Sequence, residues 1–292
     1  DWEPRSDECL FDGHISASFE ANCEYMQRTH SFFVPYTKYL VDASATNERA
    51  SASLEVMQII LAGMFASMPV YALLAKNRHD PHEIESRGSF VFGGFVRNWF
   101  YWFIGPIERV SIIAGLPPTA YNVTGALCGC LAGYCFGTGQ VSMGGWLVLL
   151  GGAADVLDGR VARARGLASQ RGAFLDSTLD RFAEVGVFVG LAVLYMESVP
   201  ELAVVVAALG GSLLVSYTRA RGESLGVTAK VGVMQRAERL LLVGLGAVLD
   251  PGLTSWQGWP TGAFLFWLLA LVAIGTLGTA VYRTVWIARR LD

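Results

Sequence analysis

The sequence predicts an all-α integral membrane protein, and three observations predict it. Of the 292 residues, 53% are hydrophobic and only 16% are charged, whereas a soluble domain carries about a quarter charged residues. Apolar stretches approach the roughly 20 residues needed to cross a bilayer. Loops rich in Lys and Arg alternate along the chain with loops that contain neither. The net charge of −3 offers no basic surface of the kind that holds nucleic acid. The mean hydropathy of +0.42 excludes a soluble sugar-nucleotide enzyme.

Taken in order, residues 1–53 are polar and mixed, without a helical or strand period, and form an N-terminal extension with no assigned role. Trp2, Phe32, Phe33 and Tyr36 separate it from the usual disordered composition. The chain opens on Asp1 rather than Met and shows no signal peptide, as expected of an incomplete N-terminus. Residues 54–92 combine a charge-free run, Met57 to Ala75, with a basic linker holding Lys76, Arg78 and Arg87. The run is long enough to make one extra N-terminal span, although Gln58 and Pro69 weaken it. Residues 93–117 mix Arg97, Glu108 and Arg109 with Trp99, Tyr101 and Trp102, the pattern of an amphipathic helix lying in the headgroup plane. Pro117 and Pro118 end it.

Residues 118–292 hold six core spans, from Tyr121 to Gly137, Met143 to Ala154, Phe182 to Met196, Leu202 to Tyr217, Leu240 to Leu249 and Gly262 to Ala288. Cys128, Cys130 and Cys135 fall inside the first, where cysteine serves as a small packing residue. Cys9 and Cys23 stand alone. The spacing of the five predicts neither a disulfide framework nor a zinc site. The loops at 76–97, 160–171 and 219–239 and the tail Arg289–Arg290 are basic, while those at 137–142, 197–201 and 250–261 have no Lys or Arg. The positive-inside rule then puts the basic loops and both ends of the core in the cytoplasm, with a cell inner membrane as the expected location.

The charged stretch from 155 to 181 reads DVLDGRVARARGLASQRGAFLDSTLDR. Asp155 and Asp158 are three apart and Asp176 and Asp180 four apart, so each pair shares one face of a helix. Ionisable groups at membrane depth are costly and face a cavity. Four facing carboxylates repel unless cations neutralise them, and hard oxygen ligands suit Mg²⁺ or Mn²⁺. Two such ions could grip a pyrophosphate for in-line displacement at phosphorus. Gly159 and Gly172 remove side chains where a ligand or helix comes close, and Arg163 suits phosphate. As charges alone, Arg160, Arg163, Arg165 and Arg171 could instead pair with the aspartates in a salt-bridged cytoplasmic loop. Intramembrane acids also mark ion paths, so a transporter or a non-enzymatic scaffold is a competing reading.

The full spacing, D-x-x-D-G-x-x-A-R, eight residues, then G-x-x-x-D-x-x-x-D, is filled by Asp155, Asp158, Gly159, Ala162, Arg163, Gly172, Asp176 and Asp180. In this the chain resembles the CDP-alcohol phosphatidyltransferase family, over about Asn98 to Arg290. The resemblance implies a six-helix transmembrane bundle around a polar cavity open to the cytoplasm. It implies transfer of a phosphatidyl group from CDP-diacylglycerol to an alcohol, with release of CMP. It implies that Asp155, Asp158, Asp176 and Asp180 bind two divalent ions and that Asp180 is also the catalytic base. It implies that Gly159, Arg163, Ser169 and Gly172 lie against the CDP moiety, with Pro118 to Tyr121 closing over it. It also implies a homodimer, for which the Gly186–Gly190 step would permit close helix approach.

Arg219, Arg221, Lys230, Arg236 and Arg239 place five cations within 21 residues. They form either a positive-inside loop against anionic lipid heads or a pocket for a phosphorylated acceptor built from Arg219, Lys230, Arg236 and Arg239. The phrases GAFLDSTLDR (172–181) and QRAER (235–239) resemble the phosphatidylinositol-phosphate synthase branch, which implies inositol phosphate as acceptor. Glycerol 3-phosphate, giving phosphatidylglycerol phosphate, is the second acceptor expected.

Overall fold

Helices account for every regular element among the described residues of the computed structural model. These are residue 59 and residues 62–74, 93–229 and 231–291. In chain order the helices are α1 (Ala62–Leu74), α2 (Gly93–Ile113), α3 (Pro118–Gly137), α4 (Val141–Ala164), α5 (Gln170–Leu194), α6 (Val199–Ser224), α7 (Arg236–Gln257) and α8 (Ala263–Ala288). Of the span expected at 57–75, only residue 59 and α1 are described; the extension at 1–53 lies outside the described residues.

Three helices, α4, α6 and α8, are long and apolar enough to cross a membrane. On α8, Trp267, Ile274 and Val281 point outward, Ile274 being 73% exposed. An outward face of such side chains requires lipid rather than water, and the chain is an integral membrane protein. Charges and small polar residues lower the hydropathy of α3, α5 and α7. Their inward faces build the polar interior described below.

Backbone proximity, more than side-chain bulk, sets the packing of α3, α4 and α5. A Cβ placed on Gly190 would sit 1.9 Å from the Gly133 carbonyl oxygen, and one on Gly133 would sit 2.0 Å from that of Gly186. The Gly186–Gly190 step expected at a contact between copies is therefore occupied within the chain, against α3. The second helix pair, α4 and α7, meets in the same way at Gly145 and Gly244, where a Cβ on Gly145 would lie 2.7 Å from the Gly244 oxygen. Around these contacts Phe136, Leu191, Val205, Ala247, Leu265 and Leu269 form the apolar core.

Two expected boundaries moved. The basic loop expected at 160–171 shrinks to residues 165–169, because α4 runs on to Ala164 and α5 begins at Gln170. The loop expected from residue 250 is instead the last two turns of α7, which passes through Pro251 to Gln257. An interior proline loses one backbone hydrogen bond. Here the neighbouring Asp250, fully buried, anchors the start of α8: its Oδ2 accepts from Gly262 N at 2.6 Å and its Oδ1 from Leu265 N at 3.0 Å. Tyr195 OH donates to Gly262 O at 2.7 Å in the same cluster. Gly262 has φ +96°, a left-handed conformation that favours glycine.

At the other end of the bundle α2 lies against α4. Arg160 Nε donates to Glu108 Oε2 at 2.6 Å, and its guanidinium carbon is 4.7 Å from the Tyr101 ring centroid. Arg165 Nη1 donates to Leu116 O at 2.8 Å. Tyr121 OH donates to Ser111 Oγ, joining α2 to α3. Trp99 Nε1 in turn donates to Ser67 Oγ of α1 at 2.9 Å.

Candidate active site

Two helices carry the four aspartates. Asp155 and Asp158 are one turn apart on α4, and Asp176 and Asp180 one turn apart on α5, so each pair shares a helix face. One carboxylate oxygen from each of Asp155, Asp158 and Asp176 lies within 4.8 Å of the other two. Asp158 is only 6% exposed. Three carboxylates at this separation repel one another strongly unless a cation lies among them. The donor set is all hard oxygen, which fits Mg²⁺ or Mn²⁺ and not a thiolate-seeking metal.

Asp180 stands outside that group of three. Its Oδ2 forms an ion pair with Arg236 Nη1 at 2.5 Å, and Arg181 Nη1 lies 3.6 Å from the same oxygen. Arg236 Nε is also 3.8 Å from Asp155 Oδ2. One guanidinium at the first residue of α7 thus joins acids from α4 and α5.

A cleft runs from Asp155 and Asp180 between α3, α4, α5 and α7. Tyr121 and Asn122 line it from α3, Glu184 from α5, and Arg236 and Arg239 from α7. Further along the helices its walls become apolar at Leu147, Val187, Phe188 and Val243. A ligand with a charged head and a less polar body matches such a gradient.

The remaining described residues singled out from the sequence are not among those lining the cleft. Pro118 opens α3 behind Pro117, where a missing N–H costs nothing. Ser169 caps α5, its Oγ accepting from Gly172 N at 3.1 Å, which supplies one of the N-terminal donors that a helix leaves unpaired. The three atoms nearest a Cβ on Gly159 all belong to the Arg163 guanidinium, the closest at 3.1 Å. Arg163 is exposed next to that glycine. Arg219 is exposed near the end of α6, paired with Glu223 at 2.9 Å, and is not on the cleft wall. Lys230 lies outside the described residues.

Three buried or half-buried groups were not singled out in the sequence. Glu184 pairs with Arg239, both deeply buried. Arg283, 2% exposed on α8, donates to Val231 O from Nε and Nη2 at 3.1 and 2.7 Å and to Val215 O from Nη1 at 2.7 Å. It thereby fastens the loop before α7 to α6 and α8. A lone arginine within an otherwise apolar 26-residue helix was the signal for it, because such a charge is retained only with partners. Glu108 was read as an interfacial charge; its pairing with Arg160 depends on a contact 52 residues away.

Comparison with known proteins gives two family matches. Residues 7–57 match a model described as C2H2 type zinc-finger (2 copies), where no zinc pattern was expected from Cys9 and Cys23. That segment is outside the described residues. Its cysteines, Cys9 and Cys23, and its histidines, His14 and His30, do not have the C-x₂₋₄-C and H-x₃₋₅-H spacings typical of a structural zinc site. Residues 118–286 match the model for CDP-alcohol phosphatidyltransferase. The phosphatidylinositol phosphate synthase of Cutibacterium acnes is 36% identical over 192 residues, covering 64% of this chain and 90% of that protein. The archaetidylinositol phosphate synthase of Methanothermobacter thermautotrophicus is 34% identical over 192 residues, 65% of this chain and 90% of the relative. Among solved structures, Mycobacterium tuberculosis phosphatidylinositol phosphate synthase with CDP-DAG bound is similar with a TM-score of 0.55 and 30% identity, over 62% of this chain and 92% of that one. The same enzyme in complex with manganese and citrate has a TM-score of 0.54 at 30% identity, over 62% and 88%. With a family match that spans more than half its length, centred on the helices that carry the four aspartates, this chain belongs to the CDP-alcohol phosphatidyltransferase family.

Proposed function

We propose that the protein transfers a phosphatidyl group from CDP-diacylglycerol to a hydroxyl of inositol phosphate and releases CMP. The observation that carries this reading is the convergence of Asp155, Asp158 and Asp176 within 4.8 Å at one end of a cleft that also holds Asp180, Arg236 and Arg239. Two relatives named for inositol phosphate products and a solved relative with CDP-DAG bound support the choice of donor and acceptor.

In this reading Asp155, Asp158, Asp176 and Asp180 hold two Mg²⁺ or Mn²⁺ ions. When bound, divalent cations neutralise the pyrophosphate and stabilise charge developing at phosphorus and at the leaving oxygen. The chain's residues do the rest. Gly159, Arg163, Ser169 and Gly172 receive the CDP moiety, with Pro118 and Tyr121 beside it. The acceptor phosphate lies toward Arg236 and Arg239, since guanidinium groups bind phosphate oxygens in pairs. The acceptor hydroxyl oxygen attacks the phosphorus that carries diacylglycerol. A new P–O bond forms, the bridging P–O bond breaks, and the electron pair leaves with CMP. Asp180 takes the hydroxyl proton. Positioning and electrostatics supply most of the rate, as in phosphoryl transfer generally. The positive-inside pattern puts this end of the bundle on the cytoplasmic side of the membrane.

An acceptor screen tests the reading. Purified protein with CDP-diacylglycerol and Mg²⁺ or Mn²⁺ is offered inositol phosphate, free inositol, glycerol 3-phosphate or serine, and CMP is measured. Inositol phosphate is expected to give turnover and free inositol none. Turnover with glycerol 3-phosphate alone would reassign the acceptor. No CMP with any acceptor would return the chain to the transporter or scaffold reading.

A further inference from the structure

Glu184 and Arg239 form the innermost charged pair of the cleft. They face one another across the seam where α5 packs near α7, Glu184 one turn beyond Asp180 and Arg239 one turn beyond Arg236. Arg239 is 3% exposed and Glu184 8%. Arg239 Nε donates to Glu184 Oε1 at 3.0 Å, and Nη2 lies 2.9 Å from that same oxygen. Both contacts therefore use one edge of the guanidinium and one carboxylate oxygen. Arg239 Nη1 and Glu184 Oε2 are buried and have no hydrogen-bond partner among the described residues.

A buried pair kept only for packing would be expected to satisfy its remaining donors and acceptors, because each unmet one keeps its full desolvation cost, larger still for a charged group. Replacing such a pair by apolar residues is often neutral or stabilising, so its retention needs another reason. Here both unpartnered atoms belong to residues that line the cleft. The outer pair differs: Arg236 engages Asp180 and Asp155, two of the four acids of the metal motif, whereas Glu184 and Arg239 engage each other.

The geometry points to Glu184 as a positioning residue for acceptor binding: it fixes the guanidinium of Arg239 by two contacts on one edge, so that Nη1 receives a phosphate oxygen of the acceptor. Glu184 Oε2 then accepts a hydroxyl of the same molecule. A phosphorylated polyol carries both groups, an anionic oxygen for the donor and a hydroxyl for the acceptor. A phosphate alone would set its negative charge against Oε2 without using it. This assignment rests on the phosphorylated-acceptor reading above and adds Glu184, which lies outside the basic cluster, as the residue that orients the acceptor.

Steady-state kinetics of the full chain in detergent test it. In Glu184→Gln the KM for inositol phosphate is expected to rise about tenfold or more, the loss of one charge-assisted contact. The KM for CDP-diacylglycerol and the Mn²⁺ affinity, read by electron paramagnetic resonance, are expected to stay within about twofold, a change below 0.5 kcal/mol. Glu184→Asp keeps the charge but withdraws it by one methylene, and its acceptor KM is expected to fall between wild type and Glu184→Gln. This second variant decides the matter if Glu184→Gln does not fold. Equal changes in both KM values, or an unchanged acceptor KM in a folded variant, would overturn the assignment. If wild type turns over glycerol 3-phosphate instead of inositol phosphate, the inositol reading fails, and the same KM comparison made with glycerol 3-phosphate still decides the role of Glu184. A wild type that accepts only unphosphorylated alcohols overturns both.

Discussion

Asp180→Asn is expected to lower CMP release by at least about 10³-fold while the protein stays folded in membranes. Asparagine matches aspartate in shape, and its carbonyl oxygen can still accept from Arg236, now 2.5 Å from Asp180 Oδ2. It cannot take a proton from the acceptor hydroxyl. Loss of a general base alone costs about 10²–10⁴-fold, and loss of a negative charge beside Asp155 weakens cation binding as well. The check is CMP release at saturating acceptor, with thermal stability measured alongside. A variant that keeps more than about a tenth of wild-type turnover would remove the base role, given that range. A variant that loses activity only because it fails to accumulate would show it in the stability measurement.

Gly190→Ala is expected to be the most destabilising single-methyl change in the bundle. In an exposed helix, Gly→Ala stabilises by up to about 1 kcal/mol. At Gly190 the sign reverses, because the new Cβ would lie 1.9 Å from the Gly133 carbonyl oxygen and 2.5 Å from its carbon. Backbone cannot step aside like the end of a flexible side chain, so α3 and α5 must separate. Overpacking costs about 1–3 kcal/mol when side chains can adjust; the expected loss here is at the top of that range or above it, about 10 °C in Tm. Gly210→Ala is the matched control: nothing lies within 4 Å of its added Cβ, and its Tm should change little. Similar thermal melts for the two variants would contradict the close approach of α3 and α5.

What the sequence disclosed follows the reach of its signals. Helical character, the amphipathic stretch from Phe95 and the spacing of Asp155, Asp158, Asp176 and Asp180 are local properties and could be read directly. Helix ends were less legible because the basic stretch 160–171 was taken as loop: α4 carries Arg160 and Arg163 on to its end at Ala164, and α5 begins at Gln170. Pro251 suggested a break, but α7 passes through it beside the Asp250 anchor of α8. The Gly186–Gly190 step indicated close helix approach correctly in kind but not in partner, since nothing local distinguishes a contact with α3 from one with a second copy. The pairing of Glu184 with Arg239 spans 55 residues and that of Arg160 with Glu108 spans 52. Only the packing of α5 near α7 and of α2 near α4 creates them. The basic cluster of 219–239 was read either as a loop against anionic lipid heads or as an acceptor pocket; in the structure Arg236 and Arg239 line the cleft and Arg219 sits in an exposed pair with Glu223.

Mn²⁺ titration of the purified protein, followed by electron paramagnetic resonance, tests most directly whether the aspartates form a cation cage. Wild type is expected to bind Mn²⁺ saturably without nucleotide, and Asp158→Asn to weaken that binding by about 10–100-fold, the scale seen when support for a metal site is removed. Equal affinity in wild type and Asp158→Asn, or no saturable binding in wild type with or without CDP-diacylglycerol, would contradict it.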